Sequence, residues 1–436
     1  MSKLALCGGS PVRQKPFPSW PVWDQTEERA LLEVLHSGKW WRFSYAAGLD
    51  LCEPTSGDRS RVVEFQEKFA EFQQARYGLA CANGTAAIEI ILKALGMGPG
   101  DEVIVPAYTY VATATAVLQV NAIPIFVDID PETYNIDPKR VEQAITPRTR
   151  AIIPVHFSGQ SADMDALLVI AKKHKLFLVE DAAHAHGSEW KGVRLGALGD
   201  GGTFSFQSSK NMTAGEGGII VTNRQDTAEM CESYLWAGRA PGRPWYEHHR
   251  LGWNYRLTEF QAAILLQQLN RVAQQNSTRT ENARYLTPEI SKIAGLKPMW
   301  VDPRVTRHSY HIYMLRYSQE EFGGLPRSAF VQALNAEGIP CMAGYSHGLY
   351  KNPMFLEQNF YPKGCPVSCG HYNQPLDYRK FIELCPVTER ACSDEAIWFE
   401  HRLLLGTRQD MDDIVAAIGK VRANASELLQ AAPANA

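Results

Sequence analysis

Short apolar runs alternate with amphipathic stretches from about residue 80 to residue 225. Runs of four to eight apolar residues are typical of buried strands, and spacings of three and four are typical of helices. The predicted strands are DEVIVPA (101–107), AIPIFVDI (122–129), AIIPVHF (151–157) and LFLVEDAA (176–183). The predicted helices are GTAAIEIILKALG (84–96), VATATAVLQVN (111–121) and MDALLVIAKKHK (164–175). This alternation predicts an α/β fold with a largely parallel sheet and helices on both faces.

Two further apolar runs, GGTFSFQ (201–207) and GGIIVTN (217–223), break the alternation because only about ten residues separate them. A parallel crossover needs a longer connection, so at least one neighbouring pair of strands is predicted to be antiparallel. Lys210 lies in this gap, just beyond the end of a strand. Open α/β sheets bind their ligands at that edge.

A different pattern follows a polar-faced helical region at 226–290, which ends in a long predicted helix from about Thr258 to Tyr285. The predicted elements after it are a strand at SYHIYMLRY (309–317), a helix at PRSAFVQALNAEG (326–338) and a last helix opened by the capping-box spacing Thr407-x-x-Asp410. We therefore predict an N-terminal arm at 1–20, a large domain at 21–289 and a small α+β domain at 290–436. Residues 42–60 show neither period and are predicted to form a loop, and the tail AAPANA (431–436) is predicted to be disordered.

Composition narrows the class of protein. The 436 residues are 45% hydrophobic and 21% charged with a net charge of −3, which is typical of a soluble enzyme of two domains and argues against nucleic acid as the main partner. No run approaches the length of a membrane span, and the first 18 residues lack a signal-peptide core, so we expect a cytoplasmic protein. The nine cysteines are scattered and show no zinc-ligand spacing, so we expect reduced thiols and no metal site.

Three short stretches carry candidate chemistry. Lys210 has no charged residue within five positions on either side, and Asp181 closes an apolar strand, where a carboxylate needs a cationic or hydrogen-bonding partner. NGTAAIEI (83–90) places a Gly-Thr turn at the start of a helix, which is a site for an anion. An amine, an acid at a strand end and a phosphate site are the groups that pyridoxal phosphate requires.

Each stretch alone has a plainer interpretation. Lys210 fits an exposed lysine on a hairpin, Asp181 fits a strand-end or capping carboxylate, and NGT fits an ordinary turn. Their order along the chain and their combination favour the cofactor site.

Longer motifs give a family resemblance. The stretches EDAAHAHG (180–187), FSFQSSKNMTAGEGG (204–218) and GWNYRLTEFQAAI (252–264) resemble the DegT/DnrJ/EryC1/StrS family of sugar aminotransferases. The resemblance extends from SGKWWR (37–42) to HRLLLG (401–406). It implies a fold-type I enzyme dependent on pyridoxal phosphate, with a mostly parallel seven-stranded sheet between helices and a smaller C-terminal α+β domain.

The resemblance also implies roles for individual residues. Lys210 matches the lysine that forms the Schiff base with the cofactor, and Asp181 matches the acid that pairs with the pyridine nitrogen. The phosphate-binding positions are Gly84, Thr85 and Ser205.

Further positions follow from the same resemblance. Tyr110 matches an aromatic ring stacked on the cofactor. Asn254 matches a residue donated to the phosphate by the neighbouring subunit, which implies a homodimer with shared active sites. His184 stands where the family usually has glutamine, and it could bond the phenolic oxygen of the cofactor or titrate near neutral pH. Candidate substrate contacts are Trp41, Tyr45, Gln207 and His401, and a buried core position is an equal interpretation of His401.

The implied reaction is a ping-pong transfer, with pyridoxamine phosphate as the intermediate form, of an amino group from glutamine or glutamate to a ketone of a cyclitol or sugar. It belongs to the making of aminocyclitols and aminosugars, as in antibiotic biosynthesis. CPVTERACSDEAIWFEHRLLL (385–405) looks like the scyllo-inosose aminotransferase branch, whereas DAAHAHG (181–187) and GKWWR (38–42) resemble 3-amino-5-hydroxybenzoate synthases.

Three other functions stay open. The first is a dehydration with aromatisation, as in those benzoate synthases. The second is amination of a nucleotide-linked keto-sugar, for which Arg239, Arg243 and the histidines at 248 and 249 could line a diphosphate groove. The third is a non-catalytic regulator that binds the cofactor.

Overall fold

The computed structural model describes residues 3–47, 50–54, 59–240, 242–361, 364–368 and 370–431. Most of the tail that was predicted to be disordered lies outside these residues. The strands, numbered in chain order, are β1 Ala46–Ala47, β2 Asp50–Pro54, β3 Tyr77–Cys81, β4 Glu102–Pro106, β5 Ile123–Val127, β6 Thr149–Ile152, β7 Phe177–Asp181, β8 Glu189–Trp190, β9 Val193–Arg194, β10 Gly201–Ser205, β11 Gly218–Thr222, β12 Leu296–Pro298, β13 Val305–Arg307, β14 Ile312–Tyr317 and β15 Ala396–Glu400.

The helices are numbered in the same way. They are α1 Gln25–Ser37, α2 Arg61–Phe72, α3 Gly84–Ala94, α4 Ala112–Gln119, α5 Pro138–Ala144, α6 Met164–His174, α7 Gln225–Leu235, α8 Glu259–Ser291, α9 Arg327–Ala336, α10 Pro353–Leu356, α11 Phe381–Leu384, α12 Pro386–Arg390, α13 Arg408–Ala423 and α14 Ala425–Ala431. Among the residues that the structure describes, no helix is long and apolar enough to cross a membrane.

The central sheet has seven strands in the order β3-β11-β10-β7-β6-β4-β5. The five strands from β10 to β5 are mutually parallel, whereas β11 runs antiparallel to both of its neighbours. The mostly parallel sheet and the antiparallel pair of β10 and β11 are therefore confirmed. All residues of β4 are buried, as expected for a strand covered by helices on both faces.

Local sequence explains where the main helices begin. The Asn83 side chain accepts a hydrogen bond from the amide of Ala86 at 2.9 Å and caps α3. Reciprocal capping boxes open α8 at Thr258 and α13 at Thr407, the latter as the spacing predicts.

Two predictions differ from the structure. Strand β6 ends at Ile152, and Phe157 lies in a short 3₁₀ turn, because the apolar run continues past the strand into buried loop positions. The predicted loop at 42–60 contains a 3₁₀ turn, Arg42–Tyr45, and an antiparallel pairing of β1 with β2. Backbone pairing without apolar alternation leaves no period in the sequence to detect.

A smaller sheet, in the order β12-β14-β15, packs with α9 and α13 around a second core. Leu4 and Phe17 of the predicted N-terminal arm are buried in the same core. The domain boundaries at 20 and 289 stay predictions.

The described residues between 349 and 385 pack against the large sheet. Tyr350, Phe355, Tyr378 and Phe381 are buried and surround the ring of Phe126 on β5, with ring centroids 5.0–6.1 Å from it. This segment therefore covers one end of the large sheet with aromatic side chains.

Candidate active site

The candidate residues meet at the carboxyl edge of the large sheet. Asp181 ends β7 and Ser205 ends β10, while Gly84 opens α3 after β3. These parallel strands all end at the same edge, which is the ligand edge of an open α/β sheet. A cavity of about 730 Å³ lies there, and Lys210 is in its wall.

Asp181 is a buried carboxylate that has only polar, uncharged hydrogen-bond partners. Thr113 Oγ1 donates to its Oδ2 at 2.8 Å, and the amide of Ala183 donates to its Oδ1 at 3.2 Å. Burial raises the pKa of Asp181, although these bonds and the charge of Lys210 oppose the rise. A cation placed against this carboxylate would relieve the cost of burying it.

Lys210 lies in the turn that follows β10. Its backbone amide donates to the carbonyl of Gln207 at 2.9 Å. Burial lowers the pKa of its amine to about 8, although attraction to Asp181 opposes this shift. Desolvation therefore outweighs the attraction in both members of the pair, and a substantial fraction of Lys210 is a neutral, nucleophilic amine near neutral pH.

The start of α3 packs tightly against the end of β10. A Cβ added to Gly84 would lie 2.7 Å from the Cβ of Ser205, so only glycine allows this approach. The side chain of Asn83 accepts a hydrogen bond from the amide of Ala86, and its backbone carbonyl accepts one from the amide of Ala87. The amides of Gly84 and Thr85 precede the first bonds within the helix, and Gly84, Thr85 and Ser205 line the cavity, so this end of α3 is a candidate anion site.

Aromatic rings form another part of the wall. Tyr110, in the loop between β4 and α4, is 60% exposed and borders the cavity. Tyr345 and Trp398 border it from the small-sheet side, and their rings are 4.8 Å apart in an edge-to-face contact. Such walls hold a flat ligand without adding charge.

His184 lines the cavity, and its ring lies 4.2 Å from that of His311. Its Nδ1 is buried and has no partner among the described residues. Burial, and then the charge of Lys210, hold the pKa of His184 well below its usual value. Of the two roles expected for His184, the structure favours a hydrogen bond over titration near neutral pH, because the protonated ring would be buried beside the Lys210 amine.

The structure brings together most of the residues singled out in the sequence. Those lining the cavity are Gly84, Thr85, Tyr110, Asp181, His184, Ser205, Gln207 and Lys210. Trp41 and Tyr45 are not among the lining residues, and Trp41 instead lies against Phe43 and under Arg256. Asn254 is exposed and pairs through its backbone with Trp236, outside the cavity of its own chain.

His401 does not line the cavity either. It is buried between Trp20 and His311, and the turn that carries Lys210 lies against it. Of the two interpretations of His401, substrate contact and buried core position, the structure agrees with the second. Arg239, proposed for a diphosphate groove, stacks on Trp236 and Trp245 away from this cavity.

Several lining residues were missed, among them Glu89, Tyr255, His311, Tyr345 and Trp398. Glu89 faces the cavity from α3, and burial raises the pKa of its carboxyl to about 7. It was detectable as the one charged position in the apolar stretch TAAIEII (85–91). Tyr255 lies inside the motif GWNYRLTEFQAAI (252–264), whereas His311, Tyr345 and Trp398 lie far along the chain from Lys210 and carry no local signal.

The described residues contain no group of three or more His, Cys, Asp or Glu side chains arranged to hold a metal ion. The arrangement instead provides an amine beside an acid, an anion site and flat walls. These features fit pyridoxal phosphate, since a ring nitrogen can meet Asp181, a phosphate can meet the start of α3, and Gly84 leaves room for it.

Known proteins share both the sequence and the fold. The family described as the DegT/DnrJ/EryC1/StrS aminotransferase family matches residues 54–385. A protein of Streptoalloteichus tenebrarius named "Putative L-glutamine:3-amino-2,3-dideoxy-scyllo-inosose aminotransferase" is 41% identical, covering 98% of this chain and 99% of that protein. A second protein of that organism, named L-glutamine:2-deoxy-scyllo-inosose aminotransferase, is 37% identical over the same shares. The crystal structure of a 3-amino-5-hydroxybenzoic acid synthase is 35% identical with a TM-score of 0.82, covering 94% of this chain and 100% of that one.

Proposed function

The chain belongs to the DegT/DnrJ/EryC1/StrS aminotransferase family and is an aminotransferase, and from this premise we propose that it moves an amino group from L-glutamine to a ketone of a cyclitol. The observation that carries the proposal is the single cavity in which Lys210, Asp181 and the start of α3 meet. The two relatives named for glutamine and inosose substrates support this donor and this acceptor, with glutamate as the alternative donor.

Pyridoxal phosphate is the proposed cofactor. Lys210, Asp181, Tyr110 and His184 would hold its ring, and the start of α3 with Ser205 would hold its phosphate. When bound, it supplies an aldehyde that carries the amino group between two substrates and a ring that withdraws electrons from the reacting carbon.

The chain's own groups then have distinct tasks. Lys210 Nζ, as a neutral amine, would take the proton from the amino-bearing carbon of the donor. It would later deliver a proton to the carbon of the acceptor that receives the amino group. Asp181 would pair with the ring nitrogen of the cofactor and favour its protonated, positively charged form. His184, kept neutral by burial, offers a hydrogen bond without adding charge.

The charge of the cavity wall favours a free cyclitol over a nucleotide-linked sugar. Among the described residues that line the cavity, Lys210 is the one lysine or arginine, whereas Glu89, Asp181 and Glu216 are acidic. The phosphate of the cofactor would already fill the site at the start of α3, so a further diphosphate would need cationic side chains, and the described lining residues of this chain offer none besides Lys210. An uncharged polyhydroxy ring needs hydrogen-bonding side chains instead.

A panel of acceptors tests the proposal. The purified protein, supplied with pyridoxal phosphate and L-glutamine, is offered a 2-deoxy-scyllo-inosose-type ketocyclitol and a nucleotide-linked keto-sugar, and the amine products are separated by chromatography. We expect kcat/KM to be at least about 100-fold higher for the ketocyclitol, because an unpaired buried phosphate costs several kcal/mol.

The matched variants for this panel are Lys210→Ala and Lys139→Ala, the latter on the exposed start of α5. Lys210→Ala should abolish transfer, with loss of about 10²-fold or more for removal of a positioned acid–base group, whereas Lys139→Ala should not. Full activity of Lys210→Ala, or a preference for the nucleotide-linked sugar, would overturn the respective part of the proposal.

Dehydration with aromatisation is the second candidate, because a hydroxybenzoate synthase shares the fold at 35% identity. It predicts an aromatic product that absorbs in the near ultraviolet and forms without consumption of glutamine. The same chromatograms therefore separate the two functions.

A homodimer with shared sites is also part of the proposal. Asn254 is exposed and is not among the residues that line the cavity of its own chain, although Tyr255 next to it is, and this position is compatible with a contact to a neighbouring subunit.

A further inference from the structure

Residues from both ends of the chain bind the turn that carries Lys210. Trp20 Nε1 donates to the carbonyl of Ser208 at 3.0 Å, and His401 Nε2 lies 3.0 Å from the carbonyl of Ser209. The carbonyl of Gln207 already accepts the Lys210 amide. The three peptide carbonyls before Lys210 therefore each have a bonded partner.

The hydrogen bonds of His401 define its protonation. A backbone carbonyl only accepts, so Nε2 must donate to Ser209. A guanidinium only donates, so Nδ1 must accept the bond from Arg279 Nη2 at 3.1 Å. Both bonds are satisfied by the neutral ring with its proton on Nε2, and the guanidinium beside Nδ1 excludes a second proton.

Arg279 is unusual because it is fully buried and no carboxylate pairs with it among the described residues. Its hydrogen-bond partners are His401 and the Asn276 side chain, whose Oδ1 accepts at 2.9 Å, and its guanidinium also lies over the ring of Trp20 at 5.6 Å. Burial lowers the pKa of Arg279 to about 9. A buried guanidinium without a counterion is costly, so its place beside His401 calls for a reason beyond stability.

Ring contacts fix the orientation of His401. Trp20 meets it edge-on at 4.5 Å, and His311 stacks on it at 5.6 Å. The ring of His311 in turn lies 4.2 Å from that of His184 in the cavity wall, at a tilt of 35°. A continuous row of rings thus joins the N-terminal region, the small sheet and the cavity.

From this arrangement we infer that Trp20 and His401 are positioning residues that hold the backbone of the Lys210 turn, and that Arg279 holds His401 in the donating form. Neither Trp20 nor His401 lines the cavity, so they act on the reaction through the place of the lysine. The expected effect on kcat rests on the proposed function, whereas the expected effect on the backbone of the turn does not.

Amide hydrogen exchange of the full-length protein, with and without pyridoxal phosphate, tests the structural consequence. The readout is the peptide that contains residues 207–210, whose Lys210 amide is bonded within the turn. His401→Leu and Trp20→Phe each remove one donor, worth about one net hydrogen bond, so exchange should become up to about tenfold faster. Trp23→Phe is the matched control, since Trp23 is 68% exposed and makes no recorded contact with the turn.

Rescue separates positioning from packing. His401→Gln keeps an amide that can donate to Ser209 and an oxygen that can accept from Arg279, so it should restore exchange to within about threefold of the unsubstituted protein. Arg279→Met should speed exchange in the same direction as His401→Leu, because His401 can then adopt the tautomer with its proton on Nδ1, which cannot donate to the carbonyl of Ser209.

The kinetic arm measures kcat and KM separately. His401→Leu should lower kcat by about tenfold and leave KM within about twofold, because the lysine is displaced while the cavity is intact. Unchanged exchange in both His401→Leu and Trp20→Phe, or failure of the folded His401→Gln protein to restore protection, overturns the inference. Changed exchange in a protein that transfers no amino group would instead overturn the proposed function alone.

Discussion

Lys210 and Asp181 form a buried pair in which burial works against the charge on each side chain. The pKa of Lys210 falls to about 8, and that of Asp181 rises. The unfolded chain would hold the lysine proton up to pH about 10.4. Between these values the folded protein binds fewer protons, so this amine adds stability as pH rises from about 8 to about 10.4.

The same shift predicts a measurable titration of the lysine. In protein without added cofactor, competitive labelling of Lys210 by a small amine reagent, followed by mass spectrometry, should show a midpoint near pH 8. Asp181→Asn should lower that midpoint further, because the attraction that raises the amine's pKa is removed. A midpoint that rises in Asp181→Asn would contradict the assigned balance of burial and attraction.

At the scale of elements, the approach of α3 to β10 determines the shape of the anion site. Gly218, the first residue of β11, comes equally close, since a Cβ there would lie 2.3 Å from the carbonyl oxygen of Asn83. Two glycines, Gly84 of α3 and Gly218 of β11, therefore allow α3 to pack closely against β10 and β11, and this approach places the start of α3 at the cavity.

Gly84→Ala tests this packing. The added methyl group would push the start of α3 away from Ser205, so affinity for pyridoxal phosphate, measured by fluorescence titration, should fall at least about tenfold through loss of one or two hydrogen bonds to an anion. Gly98→Ala is the matched control, because a Cβ at Gly98 meets nothing within 4 Å. Equal affinity in the two variants would show that α3 does not bind the phosphate.

Strands and helices were predictable where a short stretch of sequence carries a clear pattern, such as an apolar run or a capping box. The alternation of β4 to β7 with their helices, the antiparallel pair and the capping box at Thr407 follow from local sequence and are confirmed. The pairing of β1 with β2 is set by backbone hydrogen bonds, and the end of β6 by burial of the loop that follows, so neither could be seen in side-chain order.

The site follows the same rule. Lys210, Asp181 and the Gly84 turn were recognisable because each residue is unusual in its own neighbourhood. Tyr345 and Trp398 reach the cavity only because the small sheet packs against the large one. Such long-range contacts have no signature within a window of sequence.

At the scale of the whole molecule, the proposed sharing of active sites predicts complementation. Asn254→Ala and Lys210→Ala should each give weak or inactive homodimers. In a mixed dimer, one site combines an intact Lys210 with Asn254 of the partner subunit. Random mixing should therefore restore about a quarter of the full activity, since half of the dimers carry one intact site of two.

The measurement is transfer activity after co-expression of two differently tagged chains. Sedimentation of the same samples reports the oligomeric state. No recovery in mixed dimers of normal assembly would mean that Asn254 does not serve a neighbouring site.

The aromatic segment 349–385 that surrounds Phe126 has a consequence for engineering chimaeras between relatives. A crossover placed after α8 would bring both the small sheet and the aromatic residues that cover β5 from the second parent. Both follow α8 in the chain, but the aromatic residues pack on the core of the large sheet and the small sheet has its own core. Grafts that aim to exchange acceptor preference should therefore bring the matching residue at 126, and its neighbours on β5, from the same parent. Each hydrophobic core takes residues from separate parts of the chain, so no single crossover point exchanges one core and leaves the other intact.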